Sequence, residues 1–251
     1  MKKIKAAPLY IFALLYFIPV FISFAGSASF GGKPVTLGQY WHLFVNNYTY
    51  FDFFWNSVFY ASVNTVACMI LSLPLGFFFA KIKFKGKNIL FFLYILIMML
   101  PLQSTMLPSY ILLRDTDLLH TPLALMLPMI FSPLAVFLLR QFIKVIPNEQ
   151  VEYTLLETSS TLRMFRYVII PQIIPALITL FILIFCESWN MVEQAIIFAS
   201  KNPDIMPLSV RLSDLPENVY FAGSVVYMFP IIVMFLLFEN EIEKGMENYR
   251  W

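Results

Sequence analysis

Apolar stretches long enough to cross a bilayer recur along this sequence, and shorter polar segments separate them. A membrane-spanning helix needs about 20 mainly apolar residues. The pattern predicts six spans, at residues 8–24, 57–80, 89–107, 123–139, 173–192 and 221–238. We therefore expect an all-α membrane protein with six transmembrane helices, forming a single transmembrane domain over residues 1–251. An even number of spans places both termini on one side of the membrane.

The polar segment between the fourth and fifth predicted spans, residues 146–171, has the pattern of a helix–turn–helix elbow. Pro147 suits the first turn of a helix, where its missing N–H costs nothing. Glu149 and Glu152 follow it near the start of that helix, where the helix dipole favours negative charge. The apolar residues that share the other side of this short helix are Val151, Leu155 and Leu156.

Ser159 and Ser160 are favourable caps for a second short helix, which we expect to run through Phe165 to a break at Pro171. Nothing obvious in the same chain covers the apolar side of the first helix. The elbow is therefore interpreted as a plug for a groove on another protein. An ordinary amphipathic connector is the alternative interpretation.

The spacing of residues in this elbow resembles the cytoplasmic EAA loop of binding-protein-dependent ABC importers, in the carbohydrate branch that includes the maltose-type permeases. Glu152 takes the place of the leading acid, Glu157 of the second acid, Phe165 of the aromatic residue and Pro171 of the terminal proline. The elbow departs from that pattern where alanine or glycine is usual, at Tyr153, Thr154, Thr158 and Ser159. β-branched Thr158 resists the positive φ that a glycine would allow in the turn.

Four further stretches resemble the same branch. They are Asn56-Ser57 at the start of the second span, residues 101–123, Trp189-Asn190 in the fifth span, and Lys244-Gly245 near the C-terminus. The resemblance implies the type I ABC importer permease fold in a bacterial cytoplasmic (inner) membrane. It also implies a second homologous permease subunit, two cytoplasmic ABC ATPase subunits and an extracytoplasmic solute-binding protein as partners, in addition to membrane lipids.

On this resemblance, the elbow is a coupling loop that transmits ATP-driven movement to the pore. The residues expected to couple to the ATPase are Glu149, Val151, Glu152, Leu155, Leu156, Glu157, Thr158, Ser159 and Phe165. The chain would form half of a pore for a sugar or oligosaccharide.

Four polar or aromatic residues cluster near the outer end of the fifth span, namely Glu187, Trp189, Asn190 and Glu193. Ionisable groups inside a span usually face a bundle interior or a watery cavity. Carboxylates, an amide and a flat indole could bind the hydroxyls and the apolar face of a sugar. Interfacial anchoring is the alternative for Trp189 and Glu193. Asn64 and Gln103 are weaker candidates for the path, and an interhelical hydrogen bond is the alternative for each.

Composition and charge placement agree with a polytopic membrane protein. Hydrophobic residues make up 60% of the 251 residues and charged residues 13%, far below the charged share of about a quarter in soluble domains. With the N-terminus inside, 13 of the 17 Lys and Arg residues face the cytoplasm and 4 face outward. This bias places both termini in the cytoplasm by the positive-inside rule. The basic start is interpreted as part of a retained first span, not a removed signal peptide.

Several motifs are absent from the sequence. It contains no G-x-x-x-x-G-K-[ST] phosphate loop, so ATP is expected to bind partner subunits and this chain needs no cofactor. It also lacks metal-site and hydrolase motifs, so we expect no catalytic residue and no metal, and no basic patch suggests nucleic acid. Two alternatives stay open: an ion-coupled secondary transporter that uses Glu187, and a membrane enzyme acting on lipid-linked sugars through Glu187 and Glu193.

Overall fold

The computed structural model describes the backbone of residues 2–32, 35–46, 48–157 and 160–247, and the side chains of residues 14–32, 35–45, 49–154 and 160–240. Helices make up most of it. The α-helices are α1 (Lys2–Ser27), α2 (Gly38–Trp41), α3 (Tyr48–Lys81), α4 (Lys87–Met98), α5 (Leu102–Asp115), α6 (Pro122–Met126), α7 (Pro133–Val145), α8 (Asn148–Glu157), α9 (Thr161–Met164), α10 (Ile170–Trp189), α11 (Glu193–Phe198), α12 (Leu208–Arg211) and α13 (Tyr220–Glu247). Two π-helical turns, His42–Asn46 and Phe165–Ile169, and two 3₁₀ turns, Pro203–Ile205 and Leu212–Asp214, complete the described elements.

Helix α3 is the longest element and lies between α7 and α10. Its 34 residues span about 50 Å at 1.5 Å per residue, more than the roughly 30 Å hydrocarbon core of a bilayer. Gly76 lets α3 approach α7 closely: a Cβ there would lie 2.8 Å from Leu139 Cβ and 3.2 Å from the Arg140 backbone nitrogen. A side chain at position 76 would therefore force the two helices apart.

The largest core cluster lies where α3, α7 and α10 meet the elbow. Its buried members include Leu139, Ile143, Met164, Ile169 and Ile173, all at most 1% exposed. These residues come from segments far apart in sequence, and their burial joins the helical bundle to the 146–171 segment. The elbow is thus packed onto the bundle and is not a free loop.

The third predicted span, 89–107, is not one helix, which corrects the sequence interpretation. Helix α4 ends at Met98, α5 begins at Leu102, and the two axes differ by 93°. Pro101 lies at the break with extended backbone angles (φ −65°, ψ 144°). Proline provides no N–H for the helical ladder and disfavours helical geometry in the residue before it. The apolar run continued past Pro101, so hydropathy alone did not reveal the turn.

The fourth predicted span, 123–139, is also interrupted. The short helix α6 ends at Met126 and α7 begins only at Pro133. Pro128 and Pro133 bracket this gap, and Ser132 caps α7 by accepting a hydrogen bond from the Ala135 backbone N–H. Non-helical backbone at membrane depth is tolerated where it is buried in protein or lines a cavity. Both breaks therefore point to a cavity.

The expected helix break at Pro171 is wrong. Residues Thr161–Trp189 run as one continuous helical segment of 29 residues. A π-helical turn, Phe165–Ile169, ends two residues before Pro171. Such a turn widens the helix and accommodates hydrogen bonds that a proline removes. The fifth span therefore continues directly from the second elbow helix.

Three described helices are long and apolar enough to cross a membrane, Thr49–Lys81, Thr161–Trp189 and Tyr220–Asn240, and the bent pair α4–α5 would make a fourth. They correspond to the second, fifth, sixth and third predicted spans. Helix α1 covers the first predicted span, and within its described part the segment Leu14–Ser27 is apolar but shorter. The structure is therefore an all-helical membrane protein with three to four apolar spans among its described residues.

The connection between α1 and α3 contains the short helix α2 and the π-helical turn His42–Asn46. Gln39 of α2 is 4% exposed and joins three segments. Its Nε2 donates to the carbonyls of Gly26 (2.7 Å) and Ser29 (2.6 Å), and its Oε1 accepts from the Ala222 N–H (3.1 Å). The amide thus holds the C-terminal end of α1 against the start of α13.

Candidate coupling elbow and translocation cleft

The elbow, residues 146–171, contains two short helices as predicted, α8 and α9. Val151 of α8 is 5% exposed and packs in the cluster that contains Met164 and Ile173. The expectation that nothing in the chain covers the apolar side of this helix is therefore wrong at Val151. The turn of the helix that carries Val151 faces the bundle, so this side chain anchors the elbow instead of projecting from it.

A different set of side chains projects from the elbow. Large apolar or aromatic residues exposed here are Tyr153 (64%), Leu162 (79%) and Tyr167 (69%), and the predicted acids Glu149 and Glu152 are exposed as well. The side chains of Leu155, Leu156 and Glu157, and the whole of Thr158 and Ser159, lie outside the described residues. Sequence reasoning missed Leu162 and Tyr167, because the second helix was too short to show a period.

Phe165 matches the aromatic position of the EAA pattern and faces inward. Its ring lies 5.0 Å from that of Phe77 on α3, tilted by 59°, at the edge of the main core cluster. Aromatic pairs at this separation add to the energy of burial. Phe165 therefore fixes the second elbow helix to α3.

Two proline-rich breaks border a cleft that opens near Glu187. One part, of about 540 Å³, is lined by Glu187, Asn190, Glu193 and Gln194 together with Leu102 and Met129. An adjoining part, of about 500 Å³, shares Glu187 and Gln194 and includes residues of the 99–101 and 127–132 breaks. The breaks in the third and fourth predicted spans thus line a cavity, as their prolines indicated.

The cleft brings together most of the predicted path residues. Gln103 Nε2 lies 3.4 Å from Glu193 Oε2, and Glu187 and Asn190 are exposed beside them. The Asn190 side chain donates to the Cys186 carbonyl (2.7 Å) and accepts from the Tyr227 hydroxyl (2.8 Å). Gln194 also lines the cleft, but it was not predicted, because nothing in the sequence sets its amide apart from the neighbouring polar residues.

Trp189 does not line this cleft, which corrects its assignment as a sugar-stacking surface. It is fully buried (0% exposed) between Phe185, whose ring is 5.8 Å away and nearly parallel, and Tyr227, 5.5 Å away, with Phe54 at its edge. In a helix, residues 187 and 190 share a face that residue 189 does not. The indole therefore holds α10 against α3 and α13.

Asn64 is likewise a packing residue in this structure. It is fully buried in α3, and its Nδ2 donates to Ser188 Oγ on α10 (2.7 Å). The interhelical hydrogen bond that was the alternative interpretation of Asn64 is therefore present, and the Asn64 side chain does not line the cleft. Among the described residues, no group of three side chains could hold a metal ion.

The comparison with protein families decides the class. The sequence model of the family described as binding-protein-dependent transport system inner membrane component matches residues 72–247. The chain belongs to this family. It is accordingly a multi-pass inner-membrane permease component without an enzymatic role of its own, as the elbow pattern indicated.

Curated relatives share much of the length. The arabinooligosaccharides transport system permease protein AraQ of Bacillus subtilis (strain 168) is 30% identical over 252 aligned residues, covering 93% of this chain and 90% of the relative. The trehalose transport system permease protein SugB of Mycobacterium tuberculosis is 30% identical, covering 77% of this chain and 74% of the relative. The lactose transport system permease protein LacG of Rhizobium radiobacter is 27% identical over 77% of this chain and 72% of its own length.

A solved structure has the same fold. A chain of a bacterial ABC transporter that imports the acidic polysaccharide alginate superposes with a TM-score of 0.85, over 96% of each chain, at 20% sequence identity. The permease fold inferred from the EAA-like elbow is thereby confirmed at the level of an all-helical ABC importer permease.

The burial of Trp189 leads to a specific expectation. Trp189→Ala should lower the free energy of unfolding by about 3–5 kcal/mol, the usual cost of emptying a buried aromatic site. Thermal unfolding in detergent measures this change. Trp55→Ala, at a tryptophan that is 59% exposed, should have little effect. A stable Trp189→Ala variant with weakened solute affinity would instead restore a role in the path.

Proposed function

We propose that this chain is the membrane-spanning permease subunit of an ATP-driven importer for a sugar or oligosaccharide, delivered by an extracytoplasmic binding protein. The observation that carries the proposal is the family match over residues 72–247. Relatives named for arabinooligosaccharides, trehalose and lactose support a carbohydrate substrate. Another relative is named for sn-glycerol-3-phosphate, which makes that solute the comparison substrate for the uptake assay.

The chain forms half of the pore, and a second homologous permease forms the other half. Many large apolar side chains on its outer faces are exposed, for example Phe21 (65%), Ile89 (69%) and Leu237 (69%). A membrane protein covers such surfaces with lipid or a partner subunit. Six spans with both termini in the cytoplasm agree with the bias of Lys and Arg placement.

Two ATPase subunits bind the elbows of the permease pair. On this chain the contact consists of the exposed acids Glu149 and Glu152, the exposed side chains Tyr153 and Leu162, and the segment 155–159. A protruding apolar residue ringed by polar groups is typical of the centre of a protein–protein contact. Val151 and Phe165 anchor the elbow to the core of the bundle. Closure of the ATPase pair displaces the elbow and switches the helices between inward-open and outward-open states.

Solute passes through the cleft lined by Glu187, Asn190, Glu193 and Gln194, with Gln103 beside Glu193. Carboxylates and amides present acceptors and donors that match sugar hydroxyls. The cleft lies at the two helix breaks, where backbone groups not used by a helix can also face a solute. An ion-coupled secondary transporter could also use the carboxylate of Glu187. The two kinds of transporter differ in their energy source, which is ATP for an ABC importer and an ion gradient for a secondary transporter.

The proposal is tested by reconstituting the chain with its partners in vesicles. Uptake of a radiolabelled oligosaccharide should require ATP and the binding protein, and should continue when an ionophore collapses the proton gradient. Arabinooligosaccharides and trehalose are the first solutes to try. Uptake that survives without ATP but stops with the ionophore would contradict the proposal.

The exposed apolar contact yields a second test. Leu162→Arg should abolish uptake without reducing the amount of chain in the membrane, because the ATPase groove would have to bury an unpaired charge. Leu162 is 79% exposed, so the chain itself tolerates the change. Uptake and co-purification of the ATPase are measured together, with Leu162→Met as the matched control. Normal uptake by the arginine variant would remove Leu162 from the contact.

The cleft yields a third test. Glu187→Gln keeps the size of the side chain and removes its charge. We expect the solute concentration for half-maximal uptake to rise about tenfold or more, as for the loss of a hydrogen bond to a charged group of about 1.5–3 kcal/mol. Glu239→Gln, an exposed carboxylate at the other end of the last span, is the control. An unchanged uptake curve would exclude Glu187 from the path.

A further inference from the structure

A side-chain contact joins the cytoplasmic end of α3 to the elbow. The ammonium of Lys81, the last residue of α3, donates to the backbone carbonyl of Ile146 and to the side-chain oxygen Oδ1 of Asn148 (3.0 Å). These partners lie 65 and 67 residues away in sequence. The contact is therefore tertiary and fixes where the elbow begins.

Lys81 lies at the end of a helix. It lies at the carbonyl end of α3, where the helix dipole stabilises a positive charge. Ile146 is extended (φ −60°, ψ 128°), as expected for a residue before proline, and it lies between α7 and α8. Asn148 is the first residue of α8. A single ammonium, which carries three donors, thus holds the ends of three helices together.

A second polar contact attaches the same helix to α10. Gln172 Nε2 of α10 donates to Gln150 Oε1 of α8 (3.0 Å). Val151 of α8 is buried in the core formed with α3 and α10. Helix α8 is therefore attached to one long helix through Lys81 and to the other through Gln172.

The two long helices are joined again further along their length. Asn64 of α3 donates to Ser188 of α10 across a fully buried contact (2.7 Å). Ser188 is adjacent in sequence to Glu187, which lines the cleft. One of the two helices that hold the elbow, α10, therefore also carries Glu187 of the cleft.

We propose that Lys81 is a positioning residue that keeps the elbow attached to α3 throughout the transport cycle, so that movement imposed on the elbow is delivered to α3. This inference rests on the proposed function. It concerns how force passes from the elbow to the pore, and not which residues touch the ATPase.

The other basic residues of this region make different contacts. Lys87 Nζ, at the start of α4, donates to the carbonyl of Ala80 near the end of α3 (3.1 Å). Arg140 lies 3.7 Å from the centre of the Phe91 ring and donates to the Phe79 carbonyl (3.1 Å). Lys83 is exposed. Among Lys81 and these three basic residues, Lys81 is the one with described contacts to the elbow. Lys83 has the same charge and therefore serves as the matched control.

The test uses the complete transporter, purified and reconstituted in vesicles, with solute uptake and ATP hydrolysis measured in the same preparation. Lys81→Met keeps much of the aliphatic stem and removes the donors and the charge. We expect solute imported per ATP to fall at least tenfold while ATP hydrolysis continues, and Lys81→Arg to restore most of the coupling. Lys83→Met should match the unmodified protein. Uptake per ATP equal to that of the unmodified protein in Lys81→Met would overturn the proposal.

The two levels of the proposal fail differently. If the unmodified chain binds no ATPase, the proposed function fails; if it imports solute with ATP and Lys81→Met is fully coupled, only the role of Lys81 fails. If Lys81→Met does not insert into the membrane, a second variant tests the same contact. It carries Lys81→Cys and Asn148→Cys, and its two native cysteines are removed by Cys68→Ala and Cys186→Ala. A short, reducible thiol cross-linker joining the two positions should leave uptake intact. Loss of uptake that a reductant reverses would show that the contact must open, contrary to the proposal.

Discussion

The packing of α3 against α7 and α10 is the constraint on which the other features depend. Gly76 allows backbone-close contact with α7, and the buried amide of Asn64 fixes α3 to α10. In a bilayer, apolar surfaces gain little by association, so close packing of small residues and interhelical hydrogen bonds hold helices together. The elbow adds its own side chains, Val151 and Phe165, to this core. It is therefore packed as part of the bundle.

The bilayer also explains where the chain departs from regular helices. Backbone groups freed by Pro101 and by the prolines at 128 and 133 need polar surroundings or protein cover. The structure puts both breaks at one cleft, beside Glu187. An ionisable side chain inside a span has the same need for a watery or polar environment. The breaks and the carboxylate thus share one cavity.

Hydropathy predicted the helical membrane class and located the long helices well, since α3, α10 and α13 are long apolar runs. It could not predict the 93° turn at Pro101, because an apolar segment continues through it and prolines also occur inside intact helices such as α10. The sequence grouped Glu187, Trp189 and Asn190 near one end of the fifth span, but it could not tell that Trp189 packs inward against α3 and α13. The contact of Lys81 with Asn148 joins distant segments, and one sequence contains no signal for such a pair.

The central claim is that the elbow moves together with α3 when ATP is bound. Electron–electron double resonance tests this claim directly. It measures the distance between spin labels on Thr154→Cys and Lys83→Cys in the reconstituted transporter, from which the native cysteines have been removed. The account predicts one unchanged distance distribution in the nucleotide-free and ATP-bound states, while labels on the elbows of the two permease subunits change their separation. A shift of the elbow label relative to the end of α3 would contradict it.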